Sequence, residues 1–291
     1  MDSEWSGHAA DDFCRDRVRR HDRDRFLTAL FLPGAERSDV LAVYAFNIEI
    51  AAVREMVGEP LAGLVRLQWW RDALDGICGG TPPAHPVAEA LSLAVRRRRL
   101  GRSCFETAID ARAGDIEGRQ PPTPAALEAY AAATSAGINA LVLEILGNKS
   151  ESAAEAGRRV GIAWALTGLM RAVPAHARQR RVYLPESSCR AAGLAVDALL
   201  DAAGPVPGLD IAVAEFAGLA RRHLAAARAL GGRVPRPAAP ALLTATLADT
   251  YLDRLEKAGF DPFAAERHAS AAKAGPAAML RLAFNAYRGR Y

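Results

Sequence analysis

Apolar positions recur along most of this chain at intervals of three and four residues, the spacing of one face of an α-helix. Pro60 opens a run in which Leu61, Leu64, Val65, Trp69, Leu74 and Ile77 keep that interval, and Gly79-Gly80 closes it. Thr123-Pro124 reads as an N-cap followed by proline at the first helical position. It predicts a helix through Leu127, Tyr130, Leu141 and Leu143 to Gly147. Ser150 or Ser152 starts the next one, which carries Val160, Ile162, Trp164, Leu166 and Leu169. Pro174 is predicted to end or kink it, because the ring removes a hydrogen bond and crowds the preceding turn. Pro205–Pro207 and Gly231–Pro240 punctuate later helices without the length of domain linkers. No alternating strand pattern of useful length appears, nor any fixed-period repeat. The pattern predicts one all-α domain over residues 1–291, built of ten to twelve helices. Residues before Asp11 and around Gly147–Ser152 are expected to be the most mobile.

Composition narrows the class. Hydrophobic residues make up 51% of the 291, enough for a sizeable core. A net charge of +4 and a pI near 9.0 are modest. Arginines cluster at Arg15–Arg25, Arg96–Arg99 and Arg178–Arg181, where they suit phosphates, anionic lipid or plain water. Without aromatic interleaving or a known module, nucleic acid is not an expected partner. Cys14, Cys78, Cys104 and Cys189 are widely spaced, which suits reduced thiols rather than a disulfide or zinc framework. The acidic first residues lack the apolar core of a signal peptide, and no run of eighteen or so apolar residues is evident. The expectation is a cytoplasmic protein, at most peripheral at the inner face of a membrane.

Two segments carry the candidate chemistry. Gly161–Pro185 keeps Leu166, Thr167, Leu169, Arg171, Val173, Arg178, Arg181, Tyr183, Leu184 and Pro185 in a frame close to Q-L-T-N-x-L-R-D-V-x-E-D-x-x-R-x-R-x-Y-L-P. Tyr44–Met56 keeps Tyr44, Ala45 and Phe46 of Y-A-F-C-R-x-x-D-D-x-x-D-E. Between them lie Trp69-Trp70-Arg71 with Leu74-Asp75, and His85-Pro86-Val87 with Ala90-Leu91. These motifs resemble the squalene/phytoene synthase superfamily from about Asp22 to Pro185. Within it, the chain looks most like a divergent branch containing the mitochondrial assembly factor for respiratory complex I, in which the aspartate-rich motifs are lost.

The resemblance implies an isoprenoid-synthase fold, an antiparallel helical barrel around a central cavity. In the active enzymes, carboxylates on facing helices hold Mg²⁺ ions that bind two prenyl diphosphates. Mg²⁺ takes oxygen ligands in near-octahedral geometry, and two aspartates four apart on one helix face supply them. Here the first pair falls on Ala51 and Ala52, the phosphate-contacting arginine on Ile48, and the second set on Ala172 and His176, with Ala165 and Gly168 at the amide positions. Alanine offers no ligand, and neutral histidine suits zinc or copper better than Mg²⁺.

No catalytic residue, metal site or cofactor is therefore expected, and Mg²⁺ enters only if the chain is an active prenyltransferase after all. Tyr44, Glu55, Arg171, Arg178, Arg181 and Tyr183 are the candidate remnants of a ligand site, Glu55 as a vestigial metal ligand, with a structural role favoured over ligand binding for the tyrosines and arginines. Ala51, Leu166, Gly168, Leu169, Ala172 and His176 are expected to line the cavity, with Ala51, Glu55, Gly168 and Ala172 facing inward. Of Trp69 and Trp70, one is expected in the core and one near the surface. Asp72 and Asp75 are expected to pair with arginines, and Asp110 and Asp115, five apart, are poorly placed to share a ligand. The implied partners are a prenyl diphosphate or lipid, respiratory-complex assembly proteins, and the surface of a membrane.

Overall fold

The computed structural model describes residues 2–202, 205–269 and 276–291. Its helices begin with α1 (Asp2–His21), α2 (Arg23–Ala29), α3 (Gly34–Met56), α4 (Pro60–Gly79), α5 (Pro86–Arg98) and α6 (Ser103–Ile116). They continue with α7 (Pro124–Ala131), α8 (Gly137–Ile145), α9 (Glu151–Arg171), α10 (Val173–Arg178), α11 (Glu186–Ala191) and α12 (Val196–Leu200). The last four are α13 (Leu209–Ala229), α14 (Thr244–Lys257), α15 (Pro262–Ala269) and α16 (Pro276–Arg288). The described residues form no strand, as the periodicity predicted. The helix count among the described residues exceeds ten to twelve because α10, α11 and α12 are one- or two-turn pieces that apolar spacing cannot resolve, and because a π-helical turn divides the helix predicted from Thr123 into α7 and α8.

Local signals placed most boundaries. Pro60 starts α4 and Gly80 ends it in a left-handed conformation, φ 82°, which glycine adopts at little cost. The Thr123 side chain accepts from the Ala126 amide at 3.2 Å, and the Ser150 side chain caps α9 through the Ala153 amide. The break at Ala172 puts Pro174 in the first turn of α10, where its missing N–H costs no intrahelical bond. The expected mobile stretch before Asp11 falls largely on α1, which is helical from Asp2 and buries Ala10; Met1 lies outside the described residues.

Two features were not foreseen. Between α7 and α8 the chain makes a π-helical turn, Ala132–Ala136, and Gly161 of α9 packs against it. A Cβ at Gly161 would lie 2.5 Å from the Ala136 Cα, so only glycine permits that approach. Run together, Pro124–Ile145 is also long and apolar enough to cross a bilayer, contrary to expectation. In this fold it serves as core, with Leu127, Ile138, Leu141 and Val142 buried.

Helix α9 packs along α13, α14 and α8, while α3 packs on α1, α5 and α8. Both motif-bearing helices thus pack on α8, and α9 also packs on the π turn. In the core, Phe46 of α3 meets Trp70 of α4 and Phe105 of α6 edge-on, each at 5.3 Å between ring centres. Trp70 is buried and Trp69 exposed, as expected of adjacent helical aromatics. Asp75 pairs with Arg102, while Arg71 reaches Asp110. Much of the basic clustering is likewise internal. Arg97 and Arg98 converge on Asp39, which is fully buried, and Arg17 and Arg25 pair with Glu49 and Asp22.

Candidate functional site

The second motif brings three of the expected residues to one place. Arg181 and Tyr183 follow α10, and His176 lies within it, its ring 4.6 Å from that of Tyr183. Facing them from α6 and α7 are Arg112, Asp115 and Tyr130. Arg112 and Asp115 stand three residues apart on one helix face. The Asp115 carboxylate accepts from the Tyr183 hydroxyl at 2.9 Å, the Tyr130 hydroxyl at 2.8 Å and Arg112 Nη1 at 3.0 Å. Arg112 Nη1 also donates to the Tyr130 hydroxyl at 2.6 Å. Asp115 is thus a buried charge with a cation and two phenols around it, the compensation that a buried carboxylate requires.

The electrostatics of this cluster favour one protonation state. Burial, together with Asp115, raises the Tyr183 hydroxyl to about 12, and burial raises that of Tyr130 as well. Burial alone would lower the Arg112 pKa, but Tyr130 and Asp115 hold it above its ordinary value. His176 is pushed down to about 4, by burial and by nearby Arg181. At neutral pH the cluster therefore holds neutral phenols, a neutral imidazole and a charged guanidinium. Its Asp115, Tyr130 and Tyr183 line a cleft of about 600 Å³, together with Arg119, Gln120 and Glu186.

Other expected site residues go elsewhere. Arg171 leaves the cluster: its guanidinium lies 3.4 Å from the centre of the Tyr251 ring and 3.4 Å from Asp24 Oδ2, while the Tyr251 hydroxyl donates to Asp24 at 2.8 Å. Arg178 is exposed and makes a two-pronged pair with Glu266 of α15, at 2.9 and 3.2 Å. Tyr44 is buried under Arg25, 5.4 Å from its ring centre, and burial raises its hydroxyl to about 12. Arg25 in turn donates to Ser135 of the π turn at 3.1 Å.

The residues expected to face inward differ in their burial. Ala51, Gly168 and Ala172 are half-buried, but Glu55 is exposed on the last turn of α3, where the helix runs out into solvent. A Cβ at Gly168 would meet nothing within 4 Å, so open space lies in front of it. Leu166 is buried and Leu169 half-buried. With Leu127, Met170, Val173 and Phe216 they leave a cavity of only about 10 Å³, room for about one water.

The Mg²⁺ that the fold family implies does not fit these residues. Ala51, Ala52, Gly168 and Ala172 offer no side-chain oxygen. The buried or half-buried carboxylates nearby are already occupied: Asp115 by Arg112 and two phenols, Asp24 by Arg171 and Tyr251, Asp22 by Arg25. A divalent cation at any of them would sit beside a guanidinium that repels it.

Asp115, Arg112 and Tyr130 are the site residues that sequence reasoning missed. Their one signal was the Arg112/Asp115 spacing, which gives a same-face ion pair; the spacing of Asp110 and Asp115 drew attention to the wrong pair.

Comparison with known proteins agrees with this geometry. A model of the squalene/phytoene synthase family matches residues 18–274. The chain is 33% identical over 281 residues to the NADH dehydrogenase (ubiquinone) complex I assembly factor 6 of Bos taurus, covering 97% of this chain and 83% of that protein. It is 28% identical over 196 residues to the phytoene synthase of Cereibacter sphaeroides, covering 65% and 55% of the two chains. The fold superposes on a ligand-bound dehydrosqualene synthase with a TM-score of 0.83 at 18% identity, over 98% of both chains. By motif frame, fold and sequence, this chain belongs to the squalene/phytoene synthase family.

Proposed function

We propose that this chain is a non-catalytic member of its family and acts as an assembly factor for respiratory complex I. One observation carries the first half: the helix faces that would hold the metals present Ala51, Ala52, Gly168 and Ala172, and the neighbouring carboxylates are bound to arginines and tyrosines. Ionising an allylic diphosphate needs Mg²⁺ to stabilise the leaving group. Each loss of about 1.4 kcal/mol of that stabilisation slows the step tenfold. The second half rests on the assembly factors, which the chain matches over nearly its whole length, whereas the phytoene synthase match covers about two thirds of it.

On this reading the Asp115–Arg112–Tyr130–Tyr183 cluster organises the fold where catalysis once took place. The cleft beside it offers phenol, guanidinium and amide groups to a polar or isoprenoid-like ligand, or to a segment of a partner protein.

The test is the amount of assembled complex I on native gels, with its NADH oxidation, in cells deleted for this chain and in cells complemented with it. The account expects both to fall on deletion and to return with the wild-type chain. Unchanged complex I in the deleted cells would overturn the assembly role.

A further inference from the structure

Helix α16 has apolar residues on two opposite faces, and the fold uses only one. Its inner face is fixed: Leu282 is fully buried, Met279 and Ala286 pack on the cluster formed by Leu243, Leu247 and Tyr251, and Asn285 donates to Thr246 of α14 at 2.9 Å. Leu280, Phe284 and Tyr287 lie within about 60° of one another on the other side. They are 71%, 56% and 85% exposed. A single exposed leucine means nothing, but three aligned large side chains at positions i, i+4 and i+7 form a face that stays exposed among the described residues.

The surface beside that stripe is strongly basic. Arg281 and Arg288 of α16, with Arg228, Arg236 and Arg290, line a cleft of about 640 Å³ in which Asp249 is the one acidic side chain among the described lining residues. Asp249 is taken by Arg228 at 2.6 Å, with Arg281 at 3.5 Å. In the other basic clusters the arginines largely meet carboxylates within the fold; here five guanidinium groups line a cleft with one acidic side chain, and Arg281 also reaches Asp253 beside it at 3.9 Å. Arg288 joins the two features, its guanidinium 5.4 Å from the centre of the Phe284 ring.

We propose that α16 docks this protein on an anionic phospholipid bilayer, with Leu280, Phe284 and Tyr287 entering the headgroup–acyl boundary and the arginine cleft taking lipid phosphates. An apolar stripe flanked by arginines is the arrangement that binds such a surface, through buried apolar area plus attraction to anionic headgroups. Charge complementarity selects this occupant. A second copy of the chain, docked through the same face about a twofold axis, would bring two sets of arginines together. A small soluble anion would fill the cleft and leave the stripe uncovered. The inference stands apart from the assembly role, since it uses none of the residues of the Asp115 cluster.

The experiment is flotation of the purified chain with phosphatidylcholine vesicles, with and without phosphatidylglycerol. Wild type is expected to float with the phosphatidylglycerol vesicles and to be released by high salt. The Leu280→Ser/Phe284→Ser/Tyr287→Ser variant, altered only at exposed positions, is expected to keep its helical circular dichroism and lose flotation by at least about tenfold. Each of Arg281→Gln and Arg288→Gln is expected to lower partition by about fivefold. Flotation equal to wild type in the folded triple variant would overturn the proposal. So would wild-type protein that binds inorganic phosphate without floating, or a wild-type dimer that the triple variant converts to monomer without any vesicle binding.

Discussion

Removing the Asp115 carboxylate should strongly destabilise the packing of α6, α7 and the segment after α10. Its side chain is 7% exposed, and that of its partner Arg112 is 16% exposed. Asp115→Ala takes the acceptor from two phenols and leaves the Arg112 charge uncompensated. Breaking a buried pair on one side costs about 3–5 kcal/mol. The cleft beside Asp115 admits water to the orphaned groups, so the low end applies, about 3 kcal/mol. Tyr183→Phe removes a single bond to a carboxylate and should cost about 1.5–3 kcal/mol. Arg112→Met/Asp115→Leu removes both charges together and should recover much of the loss, because the desolvation penalty goes with them. The assay is urea unfolding followed by circular dichroism, comparing midpoints at constant slope. An Asp115→Ala midpoint equivalent to less than about 1 kcal/mol, or a double variant less stable than either single one, would refute the view that this cluster is a mutually compensated buried network.

Three further outcomes follow from the same geometry. Gly161→Ala should destabilise by about 1–3 kcal/mol, since its Cβ would meet the Ala136 backbone, whereas Gly168→Ala has open space and should gain up to about 1 kcal/mol from helix propensity; thermal melts of the two compare them directly. For His176, whose pKa falls from 6.5 to about 4 on folding, the unfolded chain binds the extra proton, so its contribution is complete above pH 6.5 and is lost as pH falls towards 4. That loss is up to about 3 kcal/mol. His85 and His223 shift in the same direction, so the difference in pH–stability slope between wild type and His176→Gln isolates the part due to His176. Glu55→Gln, at an exposed helix end, should change stability by less than about 0.5 kcal/mol and leave complex I in complemented cells at the wild-type level.

The helical architecture was legible because its signals are local. Thr123-Pro124, Ser150, Gly80 and Pro174 act through capping and backbone geometry within a turn of where they stand, and the structure places each at the boundary expected. The π turn at Ala132–Ala136 was not legible, since it depends on Gly161 approaching from another helix some 25 residues later. The candidate site divided in the same way. Motif frames singled out Tyr183, His176 and Arg181, which the structure gathers in one place, but which charges meet is a question of tertiary contact. Arg171 turned to Asp24 and Tyr251, Arg178 to Glu266, and Tyr183 to Asp115, partners 147, 88 and 68 residues away or, for Tyr251, on a helix near the other end of the chain. No periodicity within one helix encodes those meetings.

We propose that this chain keeps the squalene/phytoene synthase fold without the metal-dependent ionisation of a prenyl diphosphate. Release of inorganic diphosphate from farnesyl and geranylgeranyl diphosphate, measured with purified protein and Mg²⁺ beside an active phytoene synthase, tests it most directly. The account predicts release no faster than in protein-free buffer, with or without Mg²⁺. Mg²⁺-dependent release by the wild-type chain, accompanied by a condensed prenyl product, would contradict it.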